Sequence, residues 1–115
     1  MSLTMHDRIY SFLGLIQKSG LVSSGDDTVQ RDIKKHSCKL LVIADDTSEN
    51  TRKRFESMAK HHGVEYIYFG NKEDLGHSIG KGERAVISIR DGNLAKGLLT
   101  KLNNLNGGES NDNKG

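Results

Sequence analysis

The 115-residue sequence contains no proline, no tryptophan and a single cysteine, Cys38. One thiol cannot form a disulfide within the chain, so a reducing cytoplasm is the expected setting. Without proline, the turns fall to Gly, Asn and Asp. Aromatic residues make up 5% of the chain, too few for a platform on which successive bases stack. No apolar run approaches the roughly 20 residues that span a bilayer. The opening MSLTMHDRIY also lacks the basic-then-apolar order of a secretory leader. No membrane partner is expected. Charge of one sign is scarce as well: 17 Lys and Arg face 15 Asp and Glu, for a formal net charge of +2. That balance permits a nucleic-acid partner without demanding one. The length suits one domain with one modest core.

What is present is an alternation of apolar patterns. Ile9, Phe12, Leu13 and Ile16 follow helical spacing and predict a helix over 6–19, stopped by Gly20. LVS at 21–23 reads as a short strand. Gly25 and two aspartates open a second helix, with Val29 and Ile33 facing inward. KLLVIA at 39–44 is a continuous apolar run too short for a helix, so it reads as a strand covered on both faces. Asp46 or Ser48 caps a third helix, which buries Phe55, Met58 and Ala59. A strand over 63–70 follows, then a short helix capped by Asn71 with Glu73 and Asp74 in its first turn. RAVISI at 84–89 is the last strand. DGNLAKGLLTKL forms the last helix, with Leu94, Leu98 and Leu102 on one side. Strands alternating with helices predict right-handed crossovers and a largely parallel sheet between helical layers. The chain divides into one domain over 1–105 and a tail over 106–115, expected to be disordered for want of apolar residues.

The residue types that carry catalysis are poorly placed. His36 lies two residues before Cys38, ahead of a buried strand, which does not suggest a Cys–His pair; Cys38 reads as a small hydrophobe. His61 and His62 are adjacent on a helix and point apart, unlike metal-binding histidines spaced i, i+4. Asp45 and Asp46 sit at the carboxyl end of a strand, where active sites occur in open α/β sheets, but where a helix cap is also needed. GHSIGKGER lacks the spacing of a Walker loop and reads as a flexible basic loop before a strand. Nothing assembles a nucleophile, a base and an oxyanion site, so a non-enzymatic protein without cofactor or metal is expected.

Two surface features remain. One is the amino end of the second helix, Gly25, Asp26, Asp27 and Thr28 with Arg31, followed by Lys34 and Lys35. The other is the loop Lys81, Gly82, Glu83 and Arg84. The helix end follows the first strand and the loop precedes the last one. If those strands pair, the features lie side by side. A helix amino end offers free N–H groups and a dipole that suit phosphate. The bland alternative is a capped helix beside a solvated loop.

The segment FLGLIQKSGLVSSGDDTVQRDIKKHSCKLLVIADDTSENTRKRF, with GVEYIYFGNKEDLGHSIGKGERAVISIRDGNLAKGL, resembles the ribosomal L-seven-Ae / L-thirty-e superfamily, and within it the bacterial YlxQ-like branch. The likeness runs from about Tyr10 to Leu102. It implies a three-layer α/β/α sandwich with a mixed four-stranded sheet. It also implies a cytoplasmic RNA-binding protein of ribosomal-protein type, with structured RNA, ribosomal RNA among the candidates, and the ribosome as partners. DNA is not an expected partner. Many members bind kink-turn RNA: the start of the second helix enters the groove at tandem sheared G·A pairs, and the loop before the last strand covers a flipped-out base. Carried over, Gly25 matches the glycine that admits the RNA backbone. Asp27 falls on an asparagine that reads a guanine edge. Thr28 falls on a glutamate position and Arg31 on a lysine position, while Lys81, Gly82, Glu83 and Arg84 match the base-covering loop.

The departures bear on affinity. An ionised aspartate only accepts hydrogen bonds, so Asp27 cannot donate to guanine O6 or N7 as asparagine does. It can accept from a guanine amino or imino group. As caps, Asp26 and Asp27 each stabilise the helix by roughly 0.3–1 kcal/mol. About 6 Å from a phosphate, each costs roughly 1–3 kcal/mol at an effective dielectric near 20. Arg31, Lys34 and Lys81 offset that only if the carboxylates turn aside. The alternative on the same fold is a protein-interaction adaptor whose RNA binding is weakened or lost.

Overall fold

In the computed structural model, which describes residues 4–114 with side chains from 4 to 105, the chain alternates five helices with four strands. In order these are α1 (Met5–Lys18), β1 (Val22–Ser24), α2 (Asp26–Lys34), β2 (Leu40–Ile43), α3 (Glu49–His62), β3 (Tyr66–Tyr68), α4 (Lys72–Ser78), β4 (Val86–Ile89) and α5 (Gly92–Lys114). The expected disordered tail, 106–115, lies outside the residues whose side chains are described.

The strands form one sheet in the order β1-β4-β2-β3. β2 and β3 are parallel, joined through α3. β4 is antiparallel to both of its neighbours, β1 and β2. The sheet is therefore mixed, which corrects the largely parallel sheet predicted from alternation. The reason is physical. An unbroken apolar run reports burial on two faces and says nothing about strand direction. All four residues of β2 and of β4 are buried, as central strands require, whereas the edge strands β1 and β3 are three residues long and half-buried or exposed.

Side chains alternate across the sheet. Leu40, Val42, Ile87 and Ile89 face α1, α4 and α5, where Ile9, Leu13, Ile16, Leu75 and Leu98 complete the larger core. Leu41, Ile43 and Val86 face α2 and α3, packing on Val29, Ile33, Phe55 and Ala59. The result is an α/β/α sandwich.

Helix ends follow local chemistry. Thr4 and Asp7 form a reciprocal capping box on α1. Ser48, not Asp46, caps α3 through the Thr51 N–H. Asp46 reaches across the fold instead, and its Oδ1 accepts from the Lys72 N–H at 2.9 Å. Asn71 caps α4 through the Asp74 N–H at 2.7 Å. The strand predicted over 63–70 is shorter. Gly63 has φ +70° and ends α3 in the left-handed conformation, and the Val64 N–H returns to the Ala59 carbonyl.

Cys38 is buried in the α2–α3 core, and burial pushes its thiol pKa up. His36 packs edge-on against His62, with ring centroids 5.8 Å apart. His61 also meets His62 edge-on, at 4.9 Å. Partial desolvation, then the charges of His61, His36 and Lys34, lower the His62 pKa below its ordinary 6.5. The unfolded chain therefore binds this proton more readily than the folded one. Stability is at its full value above pH 6.5 and falls as the pH drops through the lowered folded value. Urea midpoints at neutral and mildly acid pH are expected to show that decline, and His62→Asn is expected to flatten it.

Candidate nucleic-acid interface

β1 pairs with β4, so the start of α2 and the loop before β4 do lie together. Ser24 stands opposite Ile87 in register, and the Gly25 N–H donates to the Val86 carbonyl. The join is made by a side chain. Arg84 Nε donates to Ser24 Oγ at 3.0 Å, and Arg84 Nη1 donates to the Glu83 carbonyl at 2.9 Å. Arg84 is thus a half-buried brace between loop and strand.

The loop is tied down, where its glycines and charges suggest a flexible one. The Lys81 N–H donates to the Gly76 carbonyl at 2.8 Å, and the Arg84 N–H to the Lys72 carbonyl at 3.0 Å. Gly76 is buried, and a Cβ there would collide with the Gly82 carbonyl. A chain of hydrogen bonds therefore runs from Asp46 through Lys72 and Arg84 to Ser24, ending beside the start of α2.

The start of α2 differs from the alternative of a helix capped by its aspartates. Gly25 is the N-cap, with φ +91° and ψ 147°, a conformation that L side chains rarely adopt. Asp26 and Asp27 occupy the first turn and are not its caps; no side chain caps α2 at all. The first helical bond runs from the Val29 N–H to the Gly25 carbonyl, which leaves the first-turn N–H groups uncapped by any side chain. A Cβ at Gly25 would meet nothing within 4 Å, so the backbone there is open to an approaching molecule.

The carboxylates do part. Asp26 Oδ2 lies 3.8 Å from Arg54 Nη1 on α3, and Arg54 Nη2 also donates to Gln30 Oε1 at 3.2 Å. Asp26 is thus paired with a cation of the neighbouring helix. Asp27 stays exposed and shares the outer stripe of α2 with Arg31 and Lys34, at i, i+4 and i+7. Thr28 is half-buried. Arg31, Lys34, Lys81, Gly82 and Glu83 are exposed. Among the described residues, neither Arg31, Lys34 nor Lys81 has a carboxylate within ion-pair distance. The supporting roles of Ser24, Arg54 and Gly76 escape the sequence reading, and Asp46, a cap candidate there, holds the Lys72 N–H instead; the loop sequence HSIGKGER gives no sign of what holds it. Among the described residues, no group of three or more His, Cys, Asp or Glu side chains is placed to hold a metal ion.

The α/β/α sandwich thus sets an uncapped helix start beside a braced loop. The chain belongs to the ribosomal protein L7Ae/L30e/S12e/Gadd45 family, whose profile matches residues 7–99. It is 32% identical over 93 residues to the RNA-binding protein YlxQ of Bacillus subtilis, covering 81% of this chain and 93% of that one. It is 30% identical over 98 residues to the large ribosomal subunit protein eL8 of Picrophilus torridus, covering 81% of this chain and 77% of that one. A solved structure of a protein of unknown function from Bacillus halodurans C superposes with a TM-score of 0.79 at 24% identity, covering 84% of this chain and 97% of that one. No described helix is long and apolar enough to cross a membrane.

Proposed function

We propose that this chain is a non-enzymatic, cytoplasmic RNA-binding protein of ribosomal-protein type that recognises kinked or bulged RNA. The amino end of α2 and the loop before β4 form the contact surface. The hydrogen bond from Arg84 Nε to Ser24 Oγ carries this reading, because it makes the two features one surface. The family, and relatives named as RNA-binding and ribosomal proteins, support it. Gly25 admits the backbone, and the uncapped N–H groups of α2 face phosphate or a base edge. Arg31 and Lys34 contact the groove, and Lys81, Gly82 and Glu83 cover an unpaired base while Arg84 holds the loop in place. Asp27 accepts from a guanine amino or imino group. Recognition is by shape and a few base edges, as in RNA readers generally.

The test separates Asp26 from the helix it belongs to. Asp26→Asn removes a negative charge near the contact edge and an exposed ion pair worth roughly 0.2–1 kcal/mol. Melting is expected to shift little, while the affinity for a kink-turn RNA rises about threefold at low salt. An affinity that falls, with the fold intact, would mean that Asp26 itself holds the RNA. Affinity that does not change with salt would count against phosphate contacts altogether.

A further inference from the structure

A second basic surface lies at the far end of α2. α2 and α3 run side by side in the same direction: Asp26 and Gln30 on α2 meet Arg54 on α3, and His36, just past α2, meets His62 at the end of α3. At those ends, beyond Lys34, stand Lys35, Lys39 and Lys60, with His36, His61 and His62 among them. Cations in a last turn complement the helix dipole, which accounts for some of them. Lys39 Nζ donates to the His36 carbonyl at 3.1 Å. Among the described residues, none of these three lysines has a carboxylate within ion-pair distance. The nearby Asp32 leans toward Arg90, at 4.0 Å. Glu65 lines the same shallow groove as His36, Lys39 and His62 and is the one acidic residue in it. Partial desolvation, and then His61, His36 and Lys34, lower the basicity of His62 at this end. A self-repelling cationic patch is relieved by a polyanion.

We propose that the α2–α3 carboxyl ends are a second, sequence-independent contact for the phosphate backbone of the same RNA. They would hold a helical arm that leaves the site at the start of α2 and runs along the helix. The inference rests on the RNA reading of the α2 start. α2 has nine residues, about 13 Å at 1.5 Å per residue, and Arg31, Lys34 and Lys35 follow one another along it. An arm of several base pairs therefore spans from the first site to the second. The contact is electrostatic and carries no base preference.

The experiment uses the full chain and two kink-turn RNAs, one with a short arm and one whose arm is lengthened by about one duplex turn. The variants are Lys35→Glu/Lys60→Glu and, as a charge-keeping control, Lys35→Arg/Lys60→Arg. Dissociation constants are read over a range of salt. For the parent protein, the long-arm RNA is expected to bind about 10-fold more tightly. In the Glu variant that advantage disappears and the slope of log affinity against log salt shrinks by about two, roughly one per lost phosphate contact. The Arg variant keeps both. Short-arm affinity stays within about twofold for all three proteins. A long-arm advantage that is absent, or that survives in the Glu variant, overturns the inference while leaving G·A-dependent binding of the short-arm RNA in place. If the short-arm RNA shows no G·A dependence, the parent reading falls, and the second contact with it.

Discussion

Gly76→Ala is expected to lower the melting temperature by about 4–24 °C and to weaken RNA binding in the same protein. Gly76 is buried in α4, and an added Cβ has no room, because the Gly82 carbonyl occupies its place. The obstacle is backbone, which cannot swing aside as a side-chain tip can. Overpacking of this kind costs roughly 1–3 kcal/mol, and in a domain of this size each kcal/mol is worth about 4–8 °C. Relief requires the loop Lys81, Gly82, Glu83 and Arg84 to lift from α4, breaking the bond from the Lys81 N–H to the Gly76 carbonyl. Arg84 then no longer reaches Ser24 in register. Calorimetry checks the first effect and RNA titration, well below the melting temperature, checks the second. A variant that melts within about 2 °C of the parent would show that the loop is not seated on α4 as described.

The other large effect is expected from Arg31→Glu. Arg31 is exposed on the outer stripe of α2, and no carboxylate pairs with it among the described residues. Its replacement should leave stability within about 0.5 kcal/mol, as for surface substitutions generally. RNA affinity should fall about 100-fold at low salt. Roughly 1–3 kcal/mol is lost with an arginine contact to a base or phosphate, and the new carboxylate adds repulsion beside Asp27. Arg31→Lys discriminates between two modes. It retains most of the affinity if the contact is a point charge, and loses about 10-fold if the guanidinium grips a guanine edge with two hydrogen bonds. Unchanged binding by Arg31→Glu would remove α2 from the interface.

How much of this was legible in the sequence depended on the range over which each feature is determined. KLLVIA and RAVISI announced the central strands β2 and β4 because burial on both faces leaves an unbroken apolar run. The same runs were silent on direction, and β4 enters the sheet antiparallel to β1 and β2. The stripe of α1 and the Asn71 cap of α4 were local, and both were readable. Asp46 and Ser48 were equivalent candidates for one cap. Only the fold shows that Asp46 is needed 26 residues away, at the Lys72 N–H. The strand expected from Gly63 begins at Tyr66, because Gly63 serves α3 as a left-handed stop.

The site divides the same way. Its residues were named from the helix start, the loop and a family resemblance. Their adjacency was conditional on β1 pairing with β4, which the structure meets. The brace from Arg84 to Ser24 joins positions 60 residues apart, and the pull of Arg54 on Asp26 comes from a neighbouring helix. Neither leaves a local pattern. The two aspartates looked like caps, since Asp is a common N-cap residue. Gly25 takes that place, and its positive φ sets the aspartates one step inside the helix.

Recognition of a kinked RNA by the α2 start and the braced loop is tested most directly by one titration. A fluorescent kink-turn RNA and a copy with its tandem G·A pairs replaced by Watson–Crick pairs are bound at about 50 mM and about 150 mM salt, a range over which phosphate contacts lose much of their strength. The expected result is tighter binding of the G·A form at both concentrations, with affinity falling as salt rises. Equal, weak binding of the two RNAs would contradict kink-turn recognition and leave the braced edge to another RNA or to a protein partner.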